Sequence, residues 1–131
     1  MSVPESNERA WLVKAEHDLL NIENNLAAAH IPWDTVCYHA QQAAEKVLKA
    51  FLVHHGQQPP RTHDLVALLT RCSEINPSLA GLEEDCRDLT FFAVSARYPD
   101  DLYEPDEADG RAMVAAVGRV RKSVLDTLPG I

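Results

Sequence analysis

The stretch CYHAQQAAEKVLKAFLVHHG, residues 37–56, decides the fold. A helical residue advances about 100° around its axis, from 3.6 residues per turn. On that wheel Val36, Cys37, Ala40, Ala43, Ala44, Val47, Leu48, Ala50 and Phe51 cover nearly half the circumference. So wide an apolar arc exceeds what one neighbour requires. The spacing therefore predicts a central helix packed by two or three others. The small side chains of Ala40, Ala43, Ala44 and Ala50 let those neighbours approach closely. The remaining arc carries Tyr38, His39, Gln42, Glu45, Lys46 and Lys49, and His39, Gln42, Lys46 and Lys49 form a line at steps of 3, 4 and 3. Two readings of that line stand open. Lys and Glu at helical spacing are the commonest way to wet a helix surface. Tyr, His and Gln, however, bring more directional hydrogen bonding than a wet surface needs, which suits a polar cleft or a second subunit.

Outward from this helix the pattern stays helical. In the first segment Trp11, Ala15, Leu19, Ile22 and Leu26 recur at steps of 4, 4, 3 and 4, and the expected helix runs from about Ser6 to Ala29. Pro32 opens the second helix, where its missing N–H is harmless, and Gly56 closes it near His55. A short third helix begins at THDL, with Thr62 the expected N-cap. The NPS triplet at 76–78 breaks it, and a fourth helix follows from about Leu79 to Ala96. A fifth starts at EPDEAD, with Pro105 near its first turn and Val114, Val117, Val120, Val124 and Leu128 on its apolar face. The prediction is an all-α, up-and-down four-helix bundle with an additional short helix, in a single domain spanning residues 1–131.

Composition narrows the function. Hydrophobic residues make up 46%, too many for a disordered chain. The apolar runs fall short of the roughly 20 residues that cross a bilayer, and the polar start MSVPESNERAW is no secretory signal. Three cysteines without CxxC spacing read as reduced core thiols, so a cytoplasmic location is expected and no membrane partner. The net charge of -8 argues against a broad basic groove for nucleic acid. Six acids fall within DDLYEPDEAD, residues 100–109, and the rest of the chain holds 14 acids against 12 bases. A local phosphate site is therefore compatible with the charge.

Three further segments accompany the central helix in order: AEHDL at 15–19 before it, then RTHDL at 61–65 and ARYP at 96–99. Together with HAQQAAEKVLKAFL, residues 39–52, they resemble the HEPN family of small prokaryotic helical domains over about residues 10–100. The resemblance implies an up-and-down bundle that dimerises. It also implies a partnership with a small nucleotidyltransferase in a toxin–antitoxin-like pair, an RNase activity, or nucleotide binding.

RNase-active members carry an Arg followed, after four to six residues, by a His. The chemistry needs a proton acceptor for the ribose 2′-OH and a cation for the phosphate. Arg97 stands at the matching place, but YPDDLYEPDEAD follows it without a histidine. Tyr103 is the nearest substitute, and a phenol with a reference pKa of about 10 is a poor base at neutral pH. The expectation is a non-catalytic or degenerate member that dimerises and binds a nucleotide or a nucleotidyltransferase-type partner. The competing readings are an RNase toxin built on Arg97 and Tyr103, and an oligomeric scaffold with no small ligand. The expected phosphate or nucleotide site is His39, Gln42, Lys46 and Lys49 with Arg97, and the acidic 100–109 run could gate it. No motif calls for a metal or a resident cofactor other than such a nucleotide; His54, His55 and His63 lack metal-ligand spacing.

Overall fold

The computed structural model describes residues 3–95 and 104–129. The described residues contain five α-helices and one 3-10 segment, with no strand among them. The helices are α1 (Val3–Leu26), α2 (Trp33–His54), α3 (Leu65–Ile75), α4 (Glu83–Ser95) and α5 (Glu107–Leu125). The 3-10 segment, Pro77–Leu82, joins α3 to α4. This is the expected all-helical bundle. Four longer helices build it, and α3 is the additional short one.

Helix α2 is the axis of the molecule. It packs against α1, α3, α4 and α5, as its wide apolar arc requires. Val36, Cys37, Ala40, Ala43, Ala44, Leu48 and Phe51 are fully buried. They join Ala15 and Ile22 of α1, Leu65 and Leu68 of α3, Cys86 and Leu89 of α4, and Val117, Val120 and Val124 of α5 in one core. All three cysteines lie in that core as free thiols, and burial pushes each of them up to about 12.

The ends of the helices refine the sequence reading. Gly56 sits at φ +76°, and the N–H groups of Gly56 and Gln57 donate to the carbonyls of Val53 and Leu52 at 2.9 Å each. This pair of bonds is the Schellman closure that glycine favours. The N-cap of α3 is Asp64, not Thr62. Asp64 Oδ1 accepts from the Val66 N–H at 3.0 Å, while Thr62 Oγ1 accepts from Asp64 N–H at 3.1 Å. Thr62 thus shapes the approach and the carboxylate caps the helix. The fourth helix begins at Glu83 rather than Leu79, because Pro77 and the Asn76 cap wind the preceding turn tightly. Pro105 lies just outside α5, whose N-cap is Asp106. Asp106 and Asp109 exchange backbone-to-carboxylate hydrogen bonds at 2.9 and 3.1 Å in a capping box. Helix α1 starts and stops about three residues earlier than its apolar spacing suggests.

Candidate functional site

The polar arc of α2 is not a plain wet face. It lies under α1 and the loop that precedes α3. Gln41, Glu45 and Lys49 are 2%, 4% and 8% exposed, values at which an unpartnered polar group would be costly. No buried side-chain polar atom among the described residues is left unpartnered.

Two carboxylates organise the arc. The first is Asp18 of α1. His39 Nδ1 donates to its Oδ1 at 2.9 Å, and the Lys46 ammonium donates to its Oδ2. One acid thus engages two members of the predicted line. The second is Glu45 of α2. Lys49 Nζ donates to Oε2 at 2.9 Å, and His63 Nδ1 donates to Oε1 at 2.9 Å from the loop. Gln41 Nε2 donates to the same Oε1 at 3.2 Å and to the His63 carbonyl at 2.8 Å. Gln42 Nε2 then donates to Gln41 Oε1 at 2.8 Å, which closes the chain of bonds. Burial works to raise the Glu45 carboxyl, but the hydrogen bonds from His63, Lys49 and Gln41 outweigh it and hold the group below the ordinary carboxylate range. A third contact lies near the end of the same seam, where His54 Nδ1 donates to Glu8 at 3.0 Å.

The four residues of the line therefore split. His39 and Lys46 belong to Asp18. Gln42 and Lys49 belong to the Glu45 network, and the Lys49 ammonium also lies 5.4 Å from the centre of the Trp11 ring. Arg97 and Tyr103 lie outside the described residues. Asp106 and Asp109 of the acidic run form the α5 cap, and Glu107 pairs with Arg111 at 2.8 Å. These contacts give those acids a local role at the start of α5.

Sequence reasoning named the cations and missed their counterions. Asp18, Gln41, Glu45 and His63 sit inside the segments AEHDL, QQAAEK and RTHDL, so three of the four stretches that carry the family resemblance supply these two carboxylate clusters.

A HEPN domain model matches residues 8–127. The chain belongs to the HEPN family. A search of solved structures finds a fold match to the crystal structure of TT1696 from Thermus thermophilus. Its TM-score is 0.82 at 24% identity, over 92% of this chain and 98% of that one. No curated protein matches. The HEPN assignment agrees with the bundle, and the 24% likeness supports the fold alone. No helix among the described residues is long and apolar enough to cross a membrane.

Proposed function

We propose that this HEPN domain acts by binding rather than by cutting RNA. In this reading it is a cytoplasmic homodimer that docks a small nucleotidyltransferase-type protein, as members of a toxin–antitoxin-like pair do, or holds a nucleotide. The observation that carries the reading is chemical. Arg97 is followed through residue 109 by no histidine, so the acid–base partner of a metal-independent RNase is missing. Elsewhere His39, His54 and His63 are each held by a carboxylate.

Dimerisation has its own support. Helix α1 packs on α2 and leaves Val13 and Leu20, seven residues apart on one side, 47% and 53% exposed. Large apolar side chains aligned on an outer helix face are what an interface needs.

The test is incubation of purified protein with single-stranded and structured RNA in the presence of a chelator, beside Arg97→Ala. No cleavage by either protein is expected. Cleavage by the parent that Arg97→Ala abolishes would establish the RNase reading instead.

A further inference from the structure

The end of the bundle where α2 closes holds a groove of about 580 Å³. Ala10, Trp11 and Lys14 of α1 form one wall, Lys49 and Val53 of α2 the floor, and residues 56–61 the other wall. Its size falls among small-molecule sites, which span about 300–1,000 Å³. The lining contains three cations, Lys14, Lys49 and Arg61, and no carboxylate, in a chain of net charge -8.

The three cations are not equivalent. Lys49 is tied to Glu45 at 2.9 Å. Lys14 and Arg61 are exposed and have no carboxylate partner among the described residues. Beside them stands the Trp11 ring, half-buried, with Lys49 5.4 Å from its centre. Gln57 accepts from Arg71 through Oε1 at 3.1 Å, which turns its amide NH₂ into the available donor group.

The walls are built to hold a shape. The Schellman closure at Gly56 sets the direction of the outgoing chain, and Pro59 and Pro60 fix two φ angles in it. His63 then ties the loop back to the buried Glu45. Lys49 binds the same carboxylate, so the floor and the outer wall share one anchor.

We propose that this groove, rather than the Asp18-bound part of the α2 line, takes a phosphate ester that carries a planar ring: a mononucleotide. Lys14 and Arg61 engage the phosphates, Arg61 with a planar fork suited to two phosphate oxygens. The Trp11 ring supplies a surface for the base, and the Gln57 amide a hydrogen-bond donor. The proposal deepens the binding reading above and rests on it for the choice of a nucleotide over a protein partner.

The experiment is calorimetric titration at low salt with ATP, AMP, inorganic triphosphate and adenosine. The proteins are the parent, Lys14→Ala/Arg61→Ala and His39→Ala/Lys46→Ala. Lys14 and Arg61 are exposed, so their removal leaves the core intact. The parent is expected to bind ATP more tightly than AMP, triphosphate or adenosine, and added salt to weaken it. Loss of the two groove cations should weaken ATP binding at least about tenfold, the scale of a charge-assisted hydrogen bond. The His39/Lys46 variant should bind as the parent does. If the parent binds ATP and the groove variant binds it equally, the location is wrong while the binding reading stands. Triphosphate binding as tight as ATP overturns the role of the ring. A parent that binds none of the four overturns the groove and leaves only the protein-partner form of the reading.

Discussion

Gly110, in the first turn of α5, lies flat against the indole of Trp33, the first residue of α2. A methyl group at Gly110 would sit 2.3 Å from Trp33 Cε3 and 3.0 Å from Cζ3. The same ring carries Arg111 on one side, with the guanidinium carbon 5.2 Å from its centre. The start of the central helix is thus seated against the start of the last one through a contact that only a missing β-carbon permits.

Gly110→Ala should therefore lower stability even though alanine is the better helix former. Overpacking of this kind costs about 1–3 kcal/mol, against roughly 1 kcal/mol of helix propensity gained. A drop in Tm of several degrees, seen by circular dichroism, is expected. Trp33→Leu in the same background should recover part of it by opening space. An unchanged or raised Tm for Gly110→Ala alone would show that the ring moves aside freely.

Asp18→Asn removes the shared partner of His39 and Lys46, both only partly exposed. A loss of about 1–3 kcal/mol is expected, less than for a fully buried pair because solvent reaches the cations. Urea denaturation should show a lower midpoint at unchanged slope. A double-mutant cycle with Lys46→Met should give a coupling of about 0.5 kcal/mol or more. Additive single effects would mean that the seam contact contributes nothing specific.

Acid should loosen the Glu45 network. Its carboxyl is held below the ordinary value of 4.5, so the stability it contributes is present above that value. It is lost as pH falls below 4.5 through the lowered native value. Glu45→Gln has no such proton to take up. Its urea midpoint should be lower than the parent's at pH 7 and should fall less between about pH 5 and pH 3. Parallel pH profiles for the two proteins would remove Glu45 from the acid response. His63→Ala, which deletes one donor from the exposed side, should give an intermediate profile.

The three thiols should be silent in the folded protein. Cys37, Cys72 and Cys86 are fully buried and pushed up to about 12, so thiolate is scarce at neutral pH. An aromatic disulfide reagent should titrate them within minutes in denaturant and only at the rate of unfolding without it. Fast reaction of any one thiol in the native protein would contradict the packing.

Most of the fold was legible because it rests on local signals. The 3.6-residue spacing in 37–56 places α2 at the centre without knowledge of any partner, and Gly56 ends it for a backbone reason. Ends set by competing caps were harder. Thr62 and Asp64 both suit an N-cap, and only the folded chain shows that the hydroxyl serves Asp64 while the carboxylate serves the helix. The site was legible by half. Helical spacing tells which residues share a face and says nothing about what covers it. Thus His39 and Lys46 were found, whereas Asp18, 21 and 28 residues away, was not. The groove was missed for a different reason: Arg61 and Gln57 lie in a loop, where no periodicity marks a direction.

The carboxylates of the α1–α2 seam have a consequence for how that hairpin assembles. Glu8 meets His54 near one end, and Asp18 meets Lys46 and His39 farther along. The ten-residue separation of the two acids corresponds to about 15 Å of helix, and one turn to about 5.4 Å. A slide of α1 by a single turn would leave both acids under cover without their partners, whereas Ala, Leu and Ile would still find apolar neighbours. The oily part of the seam tolerates several alignments and the charged part accepts one. The hairpin therefore carries its own vernier scale, which sets the alignment of α1 before any partner, ligand or second copy is met.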